Sequence, residues 1–198
     1  FDYFVMNNRL EYYGNPWQYG AMNACFAKVD GLWYWGKTYG GGGIYRFADS
    51  DISTVDISRG SNPPYAVIFP DEFVKSFVID TNNQILYAII RDKGLFAVPM
   101  ADISANDASK TNTKADNKYL VASFKSDSDG STGEFVDVCQ MVLDSSDGSV
   151  YFGLRADEGS AEPSGIKRWN PATKKLETIV SGVSPYGIAL NDNLSNLF

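Results

Sequence analysis

Histidine is absent from this chain of 198 residues. This removes the side chain that most often serves as a general base and as a metal ligand, so any catalysis would depend on carboxylates, amides or cations. Cysteine is scarce as well, and Cys25 and Cys139 lie 114 positions apart. We interpret them as buried small apolar residues rather than as a disulfide, because free cysteine packs as a small hydrophobe. The redox compartment is therefore left open.

Long apolar runs and an excess of basic residues are also lacking. No stretch approaches the ~20 apolar residues that span a bilayer, so membrane insertion is not expected. The net charge of −7 disfavours nucleic acid or an anionic membrane as a partner, because their phosphates would be repelled. No signal peptide is visible, but the chain opens at Phe1 rather than at Met. We therefore expect upstream sequence that could carry targeting information.

What the chain does contain is a repeat. Asp30–Phe47, Asn82–Val98 and Asp147–Trp169 each contain a turn, an apolar strand ending in a small residue, a loop, and a glycine that opens a second strand. A fourth copy begins at Gly187 and stops early, at Phe198. Asp2–Tyr13 has the pattern of the second half of a unit. Repetition at this spacing indicates an architecture built blade by blade from β-strands.

The predicted fold class is all-β, a β-propeller of four-stranded antiparallel blades in a single domain over residues 1–198. In the second blade we predict strands at about Lys75–Asp80, Gln84–Ile90, Leu95–Met100 and Tyr119–Phe124. The first blade should turn at Asp30-Gly31, a strong two-residue hairpin signal. The predicted segments are a half-blade at 1–13, blades at 21–57, 73–124 and 137–180, and a half-blade at 186–198.

Two arrangements of these blades stay open. A four-bladed ring would close by pairing Asp2–Met6 with the strand around Leu194–Phe198, which would leave no open sheet edge. Alternatively, the chain is a fragment, an arc of a propeller with six to eight blades. The abrupt start of the first strand and the early end of the last one favour the arc.

Three segments carry a family resemblance. Asp30–Phe47 and Asp147–Pro171 resemble the repeat of the two-component-regulator propeller family, which has an Asp-Gly turn, an aromatic strand, a glycine-rich loop and an Ile/Leu-Tyr-Arg strand. Ser184–Ala189 is similar to the start of the first strand in NHL and gluconolactonase-like propellers. The resemblance implies an architecture rather than an activity, because blade signatures are shared by propellers with many functions. With the acidic charge and the missing start, it leads us to expect an exported protein, whether periplasmic, cell-surface or secreted.

Candidate binding residues lie where the second strand of each blade ends. In a propeller these loops gather on one face beside the channel mouth, although solvated loop charge is the plainer interpretation. The aromatic pair Trp33 and Trp35 should share one face of its strand, with Tyr34 on the other, and could either pack between blades or present a platform for sugar rings. The candidate ligand-binding residues are Lys37, Tyr39, Arg91, Asp92, Arg155, Asp157, Trp33 and Trp35.

Cofactor motifs are weak, and no cofactor and no catalytic residue is predicted. The glycine-rich loop Lys37–Gly43 leads into a strand, whereas phosphate loops lead into a helix, so we interpret it as a hairpin connection. Ser126–Glu134 resembles a calcium loop but lacks its first carboxylate, and a surface loop is favoured. If calcium binds there, its ligands would be Asp127, Asp129 and Glu134. The recurrent turn residues Asp80, Asp144 and Asn191 should hydrogen-bond to the local backbone.

The function expected from these features is that of a non-catalytic binding module, serving sensing or as a scaffold in an exported or cell-envelope protein. Its partner would be a protein or a carbohydrate, and not nucleic acid. The alternative is a metal-dependent, lactonase-like hydrolase that acts in the propeller channel. That enzyme would need at least three carboxylate or amide side chains converging on an ion.

Overall fold

The computed structural model describes residues 26–36, 43–52, 65–103, 112–113, 116–124, 136–156 and 163–190. In these ranges the chain is all-β and forms three sheets. Helix in the described ranges is limited to the four-residue α1 (Asp49–Ile52) and two three-residue 3-10 turns, Met100–Asp102 and Asn117–Tyr119. The predicted all-β class is therefore confirmed, whereas the propeller arrangement is not established, because none of the sheets formed by the described residues closes on itself.

The first sheet is an antiparallel meander with one added strand. Its first turn is the predicted Asp30-Gly31 hairpin, in which both residues have positive φ angles of 50° and 74°. These angles fit a type I′ turn, whose twist matches that of the flanking strands. The two-residue β8 pairs parallel to the outer strand of the meander. The strands are, in spatial order, β1 (Phe26–Val29), β2 (Leu32–Gly36), β3 (Ile44–Ala48), β4 (Tyr65–Ile68) and β8 (Asn112–Thr113).

The second and third sheets are four-stranded antiparallel meanders in chain order. In the second sheet every strand lies within one residue of its predicted bounds, so that prediction is confirmed. The second sheet contains β5 (Val74–Asp80), β6 (Ile85–Ile90), β7 (Gly94–Pro99) and β9 (Leu120–Ser123). The third contains β10 (Val136–Leu143), β11 (Val150–Ala156), β12 (Gly165–Asn170) and β13 (Lys175–Ser181).

The chain divides into two compact units, residues 1–73 with 102–114 and residues 74–101 with 115–198. The first unit holds the first sheet. A small apolar cluster on one face of that sheet consists of Tyr45, Phe47 and Val67, with Trp33 and Trp35 packed against it.

The second unit holds the other two sheets, which pack face to face around a larger core. Phe124 stacks on Phe152 with ring centroids 5.4 Å apart and an interplanar angle of 17°. The backbone N–H of Met141 donates to the Ser76 hydroxyl at 3.1 Å, so β5 and β10 are also tied by a hydrogen bond. Burial of such side chains supplies the main favourable term, about 1.5–3 kcal/mol for each large apolar residue. The buried members are Tyr87, Ile89, Leu95, Phe124, Val138, Met141, Val150, Phe152, Leu154 and Trp169.

The glycine that opens the third strand of each repeat has a steric explanation. A Cβ atom on Gly94 would lie 2.1 Å from the carbonyl oxygen of Ala122, and one on Gly165 would lie 2.1 Å from that of Val180. In both sheets the backbone of the outer strand therefore occupies the space of a side chain. Only glycine permits this approach, and the sequence signature follows from the packing.

Some predicted segments differ from the structure or lie beyond it. The outer strand of the first sheet, β4, follows residue 57, where the range predicted for the first blade ends. It begins after Pro63-Pro64, because proline cannot donate to a strand ladder. The half-blade at 1–13 and residues 191–198 lie outside the described residues. The choice between ring and arc depends on those segments and stays a prediction, as does the interpretation of Cys25 and Cys139 as buried small apolar residues.

Candidate functional site

In the second unit, the first strands of the two sheets, β5 and β10, run in the same direction. Ser76 contacts Met141, and further along both strands the Asn82 side-chain amide donates to the Ser145 carbonyl at 3.3 Å. The turns after β5 and β10, residues 80–84 and 144–149, therefore lie at one end, which we call the turn end. Antiparallel pairing brings β6 and β11 back, so Arg91 and Arg155 lie at the opposite end. We call that opposite end the loop end.

At the turn end, Asp80 bonds to its own turn. One carboxylate oxygen accepts from the backbone N–H groups of Asn82 and Asn83 at 3.0 and 2.9 Å. The other oxygen accepts from the Asn83 side-chain amide at 2.7 Å. Asp80 itself is buried, so its charge is satisfied locally. The predicted turn chemistry is confirmed for this residue.

The equivalent turn of the third sheet is closed in the same way. Asp144 accepts from the backbone N–H and the hydroxyl of Ser146 at 2.9 and 2.6 Å, and Asp147 accepts from those of Ser149 at 2.8 and 2.9 Å. The prediction is thus confirmed for Asp144, while Asn191 lies outside the described residues. The carboxylates of Asp80, Asp144 and Asp147 at the turn end are therefore committed to hydrogen bonds within their own turns.

The loop end is different, because it presents an aromatic ring to water. The guanidinium carbon of Arg155, on β11, lies 4.1 Å from the ring centroid of Tyr186. The tyrosine is nevertheless 81% exposed. A cation at this distance is attracted to the ring face and restricts its orientation. One face of the ring is therefore covered by Arg155, while most of the side chain remains available for contact.

The connection that carries Tyr186 is tied down on both sides. Before it, the Gly182 backbone N–H donates to the Ser164 carbonyl at 3.1 Å, and the Ser164 hydroxyl bonds to the backbone of Ala156 at 2.8 and 3.0 Å. After it, Ile188 is buried. Tyr186 is thus held between fixed points, which lowers the entropy lost when a ligand packs on it.

Arg91 and Asp92 follow β6 at the same end. The Arg91 Nε lies 3.5 Å from an Asp92 carboxylate oxygen, and the arginine side chain is only 11% exposed, against 44% for the aspartate. Asp92 is therefore the member of the pair that solution can reach. Sequence reasoning placed Arg91 at the loop end but did not anticipate its burial.

In the first unit, Trp33 is engaged by charged neighbours. Its indole N–H donates to Asp49 at 2.8 Å, and the Lys28 ammonium lies 2.7 Å from that carboxylate and 5.1 Å from the ring centroid. Hydrogen bonds from Lys28, and next from Trp33, hold the pKa of Asp49 below its usual value. This contact network links β1, β2 and α1.

Trp35 packs across strands on Tyr45, with ring centroids 6.0 Å apart. Tyr34 lies on the opposite face, as predicted, and burial raises the pKa of its phenol, while the Arg46 charge acts in the opposite sense. Both tryptophans are partly buried against the apolar cluster of this sheet. These contacts favour a packing role for Trp33 and Trp35, and their role as a ligand platform stays a prediction.

Several predicted site residues lie outside the described residues. They are Lys37, Tyr39 and Asp157, and the possible calcium ligands Asp127, Asp129 and Glu134. Within the described ranges, no group of three or more acidic or cysteine side chains is arranged to hold a metal ion. In the same ranges, no helix has the length and apolar character needed to cross a membrane.

Sequence reasoning missed Tyr186, because its motif was interpreted only as the start of a strand. The available signal was its position between Pro185 and Gly187, where the alternation that buries strand side chains is interrupted. Its contact with Arg155, 31 positions earlier, depends on the folded sheet and could not be deduced from spacing.

Comparisons with known proteins show similarity in fold. No protein-family model matches the chain, and no curated protein sequence matches it. Two crystal structures of the extracellular domain of BT4673 from B. thetaiotaomicron are similar. One, described as a candidate one-component system, has 15% identity, a TM-score of 0.50 and coverage of 85% of this chain. The other, described as a candidate hybrid two-component system, has 15% identity, a TM-score of 0.51 and 84% coverage.

This chain spans 19% of the length of each of those two structures. A candidate 6-phosphogluconolactonase from Bacteroides uniformis ATCC 8492 is also similar, at 14% identity and a TM-score of 0.49, over 88% of this chain and 45% of that protein. The similarity to the regulator's extracellular domain confirms the family resemblance noted in the repeats. In fold, this chain is similar to the extracellular domain of a two-component-type regulator.

Proposed function

We propose that the chain is a non-catalytic binding module whose sheets are blades of a propeller-type structure in an exported or cell-envelope protein. Three successive antiparallel meanders, of which the second and third pack face to face in the same direction, support this arrangement. The similarity to a regulator's extracellular domain supports the export of the protein and a sensing or scaffold role.

The observation that carries the proposal is the contrast between the two ends of the second unit. Carboxylates at the turn end bond to their own turns, whereas the loop end presents an exposed tyrosine held by an arginine. A fixed aromatic ring beside a guanidinium supplies contact area at low entropy cost. The loop end therefore binds the ligand, which is a protein or a carbohydrate.

The first prediction tests this assignment. A ligand is first identified by binding the chain to an array of glycans and purified envelope proteins. It should bind at least tenfold more weakly to Tyr186→Ala and to Arg155→Ala, since one change removes the aromatic ring and the other removes the guanidinium that holds it. Thr173→Ala is the matched control, because Thr173 is exposed in the turn before β13, at the turn end. Calorimetry measures the affinities.

Two results would count against the proposal. Unchanged affinity in both loop-end variants would place the ligand elsewhere. Loss of binding on chelation, together with hydrolysis of a lactone substrate, would favour the metal-dependent hydrolase instead. The binding module predicts that affinity survives chelation and that no lactone is consumed.

A further inference from the structure

Exposed apolar side chains are concentrated in one short segment. Of the five large apolar residues that are most exposed in the described ranges, four lie between Ile179 and Tyr186. Tyr186 belongs to the loop end, but Ile179, Val180 and Val183 lie on β13 and just beyond it, with exposures of 44%, 37% and 41%. Clustered exposure of this kind marks a contact surface more often than scattered single residues do.

The geometry of β13 explains why these side chains face water. It is the outer strand of its sheet, and among the described strands it pairs only with β12. The register shifts between Ile166 and Lys167, so that Ile179 is the extra residue of a bulge. A bulge re-aims side chains and increases the local twist, which turns Ile179 outward.

The same features make addition of another strand to this edge unfavourable. A bulge and edge lysines are among the devices by which proteins prevent edge-to-edge pairing, and β13 has the bulge at Ile179 and begins at Lys175, directly after Lys174. A partner should therefore be recognised by the side chains of β13 and not by its backbone.

Charge further defines the partner. Residues 163–190 contain four basic residues and one acidic residue, although the whole chain carries a net charge of −7. Lys167 is buried and donates to Thr178, and Arg168 is paired with Glu177 at 2.6 Å. Lys174 and Lys175 are exposed, so they give this surface two positive charges although the chain as a whole is acidic.

We propose that these residues form a docking surface for an acidic and apolar segment of a partner polypeptide. The outer patch, as we call it, consists of Lys174, Lys175, Ile179, Val180 and Val183. Carboxylates of the partner pair with the two lysines, and its apolar side chains cover Ile179, Val180 and Val183. The lysines and the apolar residues of the patch are about five residues apart along β13, or roughly 17 Å. The acidic and apolar residues of a partner segment need the same spacing. The lysines of the patch lie at the turn end and its apolar residues adjoin the loop end, but docking on the patch does not depend on the ligand that binds at the loop end.

A selection experiment tests this second prediction. A displayed library of random 12-residue peptides is selected on the full chain, and recovered peptides should combine acidic residues with an apolar cluster about five positions away. Their affinity should fall at least tenfold in Lys175→Glu and in Ile179→Ser and should weaken with added salt. Lys118→Glu is the control of equal charge change, since Lys118 is exposed elsewhere in the second unit. Thermal denaturation checks that each variant folds.

Lys175→Glu also separates this surface from the loop end, because Lys175 lies at the turn end and its substitution should leave the affinity of the loop-end ligand unchanged. The proposal is overturned if no peptide is enriched, if enriched peptides lack carboxylates, or if Lys175→Glu and Lys118→Glu weaken binding equally. Sedimentation of the chain alone provides a further test. Self-association that Lys175→Glu abolishes would assign the patch to a second copy of this chain, which would overturn the assignment to a different polypeptide.

Discussion

At the scale of single residues, the glycines that open the third strand of each sheet are where the fold tolerates least change. In Gly165→Ala the new Cβ would meet the Val180 carbonyl oxygen at 2.1 Å, a backbone atom that cannot move without displacing β13. We expect the free energy of unfolding to fall by about 2–4 kcal/mol. Urea denaturation measures the change.

Gly182→Ala is the matched control for this third prediction. Gly182 has a positive φ of 73°, but nothing lies within 4 Å of its Cβ position. Its substitution should cost about 1 kcal/mol, from the strain of the left-handed conformation alone. Equal losses in the two variants would show that close backbone approach is not the reason for the glycine at position 165.

Residue identity predicted backbone chemistry better than it predicted exposure. Asp30-Gly31 and Asp80 indicated their turns because the conformation and the hydrogen bonds involved are local. The burial of Arg91 and the contact of Tyr186 with Arg155 depend on which other elements lie beside them, and no local pattern encodes that. For this reason the sequence identified the end of the sheet where a ligand could bind, but not the side chain that presents itself there.

At the scale of elements, Asp49 connects the first hairpin to α1 through Trp33 and Lys28. Its pKa is lower in the folded protein than its ordinary value of 3.8. The stability that it contributes is therefore fully present above the ordinary pKa and is lost as the pH falls through the lower folded value. The fourth prediction is that the Trp33 indole N–H resonance shifts only below about pH 4.

In Asp49→Asn that acid transition should disappear, because no carboxylate remains to be protonated. An NMR titration of the indole N–H groups measures both proteins. A transition that persists in the variant would mean that a different group titrates beside Trp33.

The strands themselves were predictable where the repeat is regular. The second sheet follows its predicted bounds because alternation and turn residues agree there. In the first sheet, prolines delay the outer strand to Tyr65–Ile68, and the parallel β8 has no signal beyond its two residues, Asn112-Thr113. Non-local pairing of so short a segment depends on the tertiary structure, and periodicity could not reveal it.

At the scale of the molecule, the second and third sheets should behave as one cooperative body, because they share a single core. Phe152 belongs to the third sheet but stacks on Phe124 next to the second. The fifth prediction is that Phe152→Ala lowers the free energy of unfolding by about 3–5 kcal/mol. Amide protection in β6 and β7 should fall together with that in β11 and β12.

Hydrogen exchange measured by mass spectrometry distinguishes the two outcomes. Loss of protection confined to β10–β13 would mean that each sheet is stable on its own. Ile179→Ala serves as the control, since this side chain is exposed on the outer strand and its truncation leaves the shared core intact.

The self-contained turns at one end of these sheets have a consequence for how the protein can be altered. The connections between second and third strands already differ in length, with three residues between β6 and β7 and eight between β11 and β12. The turn end is closed by its own hydrogen bonds, so a longer connection at the loop end need not disturb the strands. The chain is thus suited to carry grafted recognition loops at the loop end, while the hydrogen bonds that define its turns stay intact at the turn end.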